Sequence, residues 1–296
     1  LFLCVEKTMY PSEFDYYRPT TVAEAVELLQ KHPGSKILAG GHSLIPAMKY
    51  RVANPSALID IGRIGWLDEI NAKADGDIVV GAMATHAKVA ASKVIREKCA
   101  MVAEAAGAIG DQQVRNRGTI GGSLAHADPA ADYPTVIRCV GAKMVAIGPK
   151  GSRALSSETF FTDLFTTALG TDEVITEVHL NGYGKGTGGH YAKFAHPASG
   201  YAVVGAAAMV TVKDGVCSRV SLCVGGATPN PVRCEDAEAA LTGKAPTADN
   251  IAAAATLVGK AISNPMSDSF ANGDYRAHLA GVMAKRALST ASDRAK

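Results

Sequence analysis

The chain has 296 residues, 47% hydrophobic and 20% charged, a globular composition with room for two or three cores of usual size. A net charge of +2 without a polybasic run, and 6% aromatic residues, point away from a nucleic-acid groove and from an anionic membrane surface. Cys4, Cys99, Cys139, Cys217, Cys223 and Cys234 include no C-x-x-C pair, which disfavours a zinc ribbon, an iron–sulfur ligand set or a disulfide framework and favours buried thiols in a reducing, cytoplasmic compartment.

No apolar run approaches the roughly 18 residues of a membrane span, and the N-terminus lacks the pattern of a secretory signal. Residues 1–8, LFLCVEKT, read as unrelated to the rest of the chain, with Met9 the expected start of natural translation. Thr21 to Glu24 form a capping box, and apolar residues recur at helical spacing to His32, where Pro33-Gly34 stops the helix. KILAG is a short strand running into GGHSLIPAMKY, so a glycine turn and a helical turn come after it. ALIDI and DIVVGAMAT are further strands, and His86 to Ile109 is helical with an interruption near Ser92.

RNRGTIGGSLAHADPAADYP, Arg115 to Pro134, comes next and fits neither ordinary core nor ordinary loop. Beyond it AKMVAIG, EVITEVHL, HYAKFAHP and the stretch from Tyr201 to Ala227 read mostly as strands, with Asp214-Gly215 a hairpin turn. YAVVGAAAMV also permits helix, because alanine favours one. The C-terminal part is helical and alanine-rich, so strands followed by helices give an α+β architecture. Asn181 to Gly189, NGYGKGTGG, is the expected linker; its formal G-x-G-x-x-G lacks the helix a dinucleotide fold needs, since HYAKFAHP is extended.

Neither a Walker A loop, an H-E-x-x-H motif nor a G-x-S-x-G elbow is present. Two glycine turns remain. AGGHS, Ala39 to Ser43, and TIGGS, Thr119 to Ser123, each offer consecutive unshielded backbone N–H groups beside hydroxyls, which together suit a pyrophosphate. A plain tight turn is the other reading of each. Valine at Gly40 or Gly121 is then expected to push a side chain into the phosphate nest. His126, Asp128 and Asp132 raise the question of a metal, but Asp128-Pro129 opens a turn and no second histidine has metal-pair spacing, so no metal site is expected.

ILAGGHSLIPAMKYRVANPSALIDI together with QVRNRGTIGGSLAHADPAADYP resembles the flavoprotein (medium) subunit of molybdenum hydroxylases, the carbon monoxide dehydrogenase and xanthine dehydrogenase family. The likeness extends from Phe14 to the YRAHLAGVMAKRAL segment beginning at Tyr275. It implies an FAD-binding domain of the vanillyl-alcohol-oxidase (PCMH) type over 9–183, made of two α+β subdomains, about 9–62 and 63–183. A linker, 184–189, and a C-terminal α+β domain, 190–292, with a small sheet and helices, would complete the chain.

Carried over by position, the resemblance assigns Ile37, Leu38, Ala39, Gly40, Gly41, His42, Ser43 and Leu44, and Thr119, Ile120, Gly121, Gly122 and Ser123, to the FAD diphosphate and its neighbours. Asp132 matches an aspartate bonding the flavin polyol or adenosine part, and Ile175 an apolar contact. Lys193 matches a lysine at the pyrimidine edge of the flavin ring, and Tyr201 a tyrosine beside that ring. On the residues alone, Lys193 is equally a solvated strand lysine and Tyr201 a strand aromatic over the core. Arg115 and Arg117 either steer the acidic cofactor, bind a partner or sit on the surface. No residue of this chain is expected to act as acid or base.

The resemblance also implies a large molybdopterin subunit and a small subunit with two [2Fe–2S] clusters, joined to this chain in a dimer of heterotrimers. Quinone, oxygen or another acceptor would take the electrons, with the complex cytoplasmic or resting on the inner face of the membrane. A stand-alone FAD-dependent oxidoreductase and a non-catalytic assembly subunit are the competing readings. The substrate, whether carbon monoxide, an aldehyde or an N-heterocycle, is left open.

Overall fold

The computed structural model describes residues 9–295, so the expectation about residues 1–8 lies outside the described residues. The first unit runs β1 (Asp15–Tyr17), α1 (Val22–Lys31), β2 (Lys36–Leu38), α2 (Leu44–Lys49) and β3 (Ala57–Asp60), with a parallel sheet ordered β1-β3-β2. Helix α1 starts where the capping box predicts. The Thr21 hydroxyl accepts from the Glu24 N–H, while the Glu24 carboxylate reaches past it to the Thr20 N–H. Val22, Ala25, Val26 and Leu29 form the buried stripe, packed on Ile59, Ile61, Ile64 and Leu67.

The second unit contains β4 (Ile70–Ala72), β5 (Ile78–Gly81), α3 (His86–Ala91), α4 (Lys93–Lys98), α5 (Ala100–Ala108), α6 (Gln112–Arg115), α7 (Ile120–His126) and α8 (Asp132–Val140). It continues through β6 (Lys143–Gly148), β7 (Gly151–Ser156), α9 (Ser157–Phe160), β8 (Phe161–Asp163), β9 (Thr166–Thr167) and β10 (Val174–Leu180). Its antiparallel sheet is ordered β4-β5-β10-β6-β7. The helical region from His86 breaks at Ser92, as expected, and again at Cys99. Ser92 caps α4 through its hydroxyl.

The third unit holds β11 (Thr187–Ala195), β12 (Ala202–Lys213), β13 (Val216–Gly225), β14 (Val232–Arg233), α10 (Glu235–Leu241), α11 (Ala248–Ala255) and α12 (Gly273–Arg294). Asp214 and Gly215, both left-handed, turn β12 into β13. YAVVGAAAMV is strand, and its composition has a reason: β12 is covered on both faces. Tyr191, Ala207, Met209 and Cys223 face α5 and α8, whereas Val204, Ala206, Ala208 and Val210 face the C-terminal helices. Small side chains let helices approach from both sides.

Thr187 to Gly189, expected within the linker, are already β11. Gly188 needs no flexibility: a β-carbon there would lie 2.2 Å from the Ala291 carbonyl oxygen of α12. Arg276, buried on α12, ties that helix to the sheet by donating to the carbonyls of Val203 and Gly226 at 2.6 and 2.8 Å while pairing with Asp268. The five described cysteines are buried and free. No described helix is long and apolar enough to cross a membrane.

Candidate functional site

The two glycine motifs meet. A β-carbon on Gly40 would lie 2.1 Å from the Arg117 carbonyl oxygen, and one on Gly122 would lie 3.6 Å from the Ala39 side chain. They differ in what their backbones leave free. Gly41 is left-handed at φ 75°, and the N–H groups of Gly40, Gly41, His42, Ser43 and Leu44 find no partner among the described residues. Strand β2 ends at Leu38, just before this run, and α2 begins with its last residue, Leu44. A run of five successive free donors is the arrangement an anion nest uses.

The second motif is corrected from a turn to a helix start. Thr119 caps α7 with its hydroxyl on the Gly122 N–H, and the Ser123 N–H bonds the Thr119 carbonyl. The Ile120 and Gly121 N–H groups go to the carbonyls of Ala84 and Ala82 at 3.0 and 2.8 Å. The segment thus runs against 82–86 like a short strand before turning helical, and none of these four amides is free for a phosphate. Gly121 is small because a β-carbon would meet the Ala82 side chain at 2.5 Å and its carbonyl oxygen at 2.8 Å. Side chains at Gly40 and Gly121 would therefore strike protein rather than enter a phosphate nest.

Behind this segment lies His86, whose ring packs on Gly118 and on Tyr133, 5.3 Å away between ring centres. Burial, reinforced by His42 and Arg115, lowers its pKa to about 4, so it is neutral at physiological pH. Arg115 is a bracket for the chain, donating to the carbonyls of Ile109 and Gly110, while the Arg117 side chain is exposed. His42 is exposed, its Nδ1 3.1 Å from the Gly40 carbonyl. His126 ends α7 against Phe165, Asp128 closes a turn onto the Ala130 N–H, and no metal-binding cluster occurs among the described residues.

Asp132, 4% exposed, opens α8. Lys193 on β11 reaches it from the third unit, its Nζ 3.0 Å from each carboxylate oxygen and 3.0 Å from the Ala108 carbonyl. Tyr191, two residues back on the same face of the strand, donates to Asp132 Oδ1 at 2.7 Å. Burial raises the Asp132 pKa, with Lys193 and Tyr191 opposing it. Tyr201 lies between the two halves of the site: Ser43 interacts with its phenol, and the Ala202 N–H bonds the Ala130 carbonyl. Burial and then Asp128 raise the pKa of that phenol. Ile175 is buried on β10, within the core beneath α7.

The candidate site is a seam between three units, with a row of free N–H groups at one side, a buried carboxylate–ammonium pair at the other and a half-exposed tyrosine between them. Such a layout fits an elongated anionic cofactor. Residues 12–180 match the FAD binding domain in molybdopterin dehydrogenase, and 189–291 match the CO dehydrogenase flavoprotein C-terminal domain. The chain belongs to this family of FAD-binding molybdopterin dehydrogenase subunits.

It is 38% identical to the carbon monoxide dehydrogenase medium chain of Hydrogenophaga pseudoflava, over 96% of this chain and 98% of that one. It is 36% identical to the 6-hydroxypseudooxynicotine dehydrogenase complex subunit alpha of Paenarthrobacter nicotinovorans, over 97% of both. Among solved structures, carbon monoxide dehydrogenase from Hydrogenophaga pseudoflava superposes with a TM-score of 0.92 at 40% identity, over 96% of this chain and 99% of that one. Quinoline 2-oxidoreductase from Pseudomonas putida 86 gives 0.91 at 30%, with the same coverage. The α+β architecture with an FAD-binding domain and a C-terminal flavoprotein domain is as the resemblance implies.

Tyr191 escapes sequence reading. Its only signal is that it shares a strand face with Lys193, and that signal matters only once Asp132, 59 residues earlier, is known to lie opposite.

Proposed function

We propose that this chain is the FAD-carrying electron-transfer subunit of a molybdenum hydroxylase of the carbon monoxide dehydrogenase type. It takes electrons from the [2Fe–2S] clusters of a small subunit and passes them to quinone or oxygen, while substrate is oxidised on a large molybdopterin subunit. The complex is a cytoplasmic dimer of such heterotrimers. FAD is held along the seam between 9–62, 63–183 and 190–292.

The observation that carries this reading is the row of five unpartnered N–H groups from Gly40 to Leu44, placed opposite the Asp132–Lys193 pair across Tyr201. The nest holds the diphosphate by amide dipoles without a metal. The second motif contributes shape: Thr119 and the glycines of α7 keep the backbone thin where it lines the seam. Asp132 accepts from cofactor hydroxyls with the lone pairs that Tyr191 and Lys193 leave open, and the Lys193 ammonium favours negative charge at its end of the site. Bound FAD supplies a ring that takes up electrons singly and releases them in pairs. Tyr201 restricts access to that ring, and Ile175 supports it from the core.

The test is purification of the chain alone and with a molybdopterin subunit and an iron–sulfur subunit. Expected are flavin absorbance in the isolated chain, and flavin reduction by substrate only when both partners are present. Fast reduction by a small substrate without partners favours a stand-alone oxidoreductase. A folded chain that binds partners but holds no flavin favours an assembly subunit.

A further inference from the structure

Tyr191, Asp132 and Lys193 form a buried, mutually bonded group. Tyr191 is 5% and Asp132 4% exposed, the Lys193 side chain is 8% exposed, and each polar atom is matched within the group or by the Ala108 carbonyl. A buried ammonium that lay at the site with no anion beside it would shed its proton, and a buried carboxylate with one donor too few would gain one. The tyrosine is fixed independently of the aspartate. Its N–H donates to Glu104, and its phenol occupies the space that a β-carbon on Gly205 would fill, 2.3 Å from the hydroxyl.

We propose that Tyr191 is a positioning residue: its phenol holds Asp132 as an oriented anion, and Asp132 in turn holds the Lys193 ammonium at its place in the cofactor site. The role of Lys193 toward the flavin rests on the function proposed above, whereas the action of Tyr191 on Asp132 does not. Other titratable groups facing Asp132 are Tyr133, its neighbour on α8, and Tyr201, from the loop before β12, with Asp128 beyond Tyr201. All three tyrosines are raised above their ordinary range by burial and so stay neutral near pH 7. Among the described residues, Lys193 is then the one cation paired with Asp132.

Tyr191→Phe removes one oxygen and keeps the ring against Gly205. A hydrogen bond to a charged group corresponds to a shift of about one to two pH units in the titration of its acceptor. In the FAD-free chain, the Asp132 carboxyl stretch read by pH-difference infrared spectroscopy is expected to titrate higher in Tyr191→Phe by about that amount. The band is assigned by its loss in Asp132→Asn. Coincident titrations in wild type and Tyr191→Phe would overturn the proposal. In the FAD-loaded chain the pH inflection of the flavin midpoint potential is expected to move the same way, and Tyr191→Phe is expected to add nothing in an Asp132→Asn background. A further shift in that background would also overturn it. If Tyr191→Phe does not fold, fluorotyrosine at position 191, with its more acidic phenol, is expected to move the Asp132 titration downward, and no movement overturns the proposal. A wild-type chain that binds no FAD defeats the function proposed above, yet leaves the infrared comparison decisive for Tyr191.

Discussion

Gly40 packs so closely on Arg117 that a β-carbon at position 40 would lie 2.1 Å from the Arg117 carbonyl oxygen. The anion nest and the segment that leads into α7 are therefore one object, held together by backbone against backbone. Gly40→Val is expected to separate them, lowering stability by about 1–3 kcal/mol or more and abolishing FAD retention. Gly65, with open space around it, is the control, and Gly65→Ala is expected to change stability by less than about 0.5 kcal/mol. Thermal melting and the flavin-to-protein absorbance ratio measure both effects. Full flavin in a Gly40→Val protein would remove the nest from the cofactor site.

Lys193→Met leaves the Asp132 carboxylate buried without its cation, and a loss of about 3–5 kcal/mol is expected near neutral pH. The sign with pH is set by the carboxyl. Its folded-state pKa, already raised by burial, rises further without the lysine, so the penalty is absent where both states are protonated and grows as pH rises above the ordinary carboxylate range. Denaturant melts at several pH values are expected to show the variant closest to wild type at the acid end.

His86 titrates at about 4 when folded, because burial disfavours its charge, against an ordinary value of 6.5. The unfolded chain thus binds the proton first. Stability is full above about pH 6.5 and falls as pH drops toward about 4, by up to about 3 kcal/mol from this group. His86→Gln is expected to flatten that part of the stability profile. An unchanged acid slope would mean that the ring is not held neutral against Gly118.

Tyr201→Phe is expected to retain FAD and to alter flavin reoxidation, since the residue spans the seam at 44% exposure with its hydroxyl toward Ser43. Stopped-flow reoxidation by a soluble quinone and by oxygen gives the comparison, and identical traces would count against a place beside the ring.

How much of the fold is legible in the sequence depends on how local each cause is. Thr21 with Glu24, Asp214 with Gly215 and the GGH run before α2 act within a few residues, and each lies where it is expected. Helix α8 is hidden because it is only nine residues long and buries all of them but Arg138, polar Asp132 and Thr135 included. Its cap position, Ala131, also offers no side chain, and Pro134 is admitted in its first turn. The strand at Ala206 to Ala208 stays open between two structures because the cause of its alanines lies in helices far along the chain. The second glycine motif is recognisable as a site but reads as a nest, since only its pairing with Ala82 and Ala84 shows the amides to be spent. The Tyr191–Asp132–Lys193 group needs contacts across about sixty positions, which no local pattern records.

Strand β12 divides its side chains between two hydrophobic clusters, one shared with α5 and α8 and the other with α12. Its ladder cannot come apart without opening both. Cutting the peptide chain near Lys185 would accordingly leave two fragments that stay associated and carry the cofactor between them. A calorimetric scan of the intact chain should then show a single heat-absorption peak, with van't Hoff and calorimetric enthalpies in agreement.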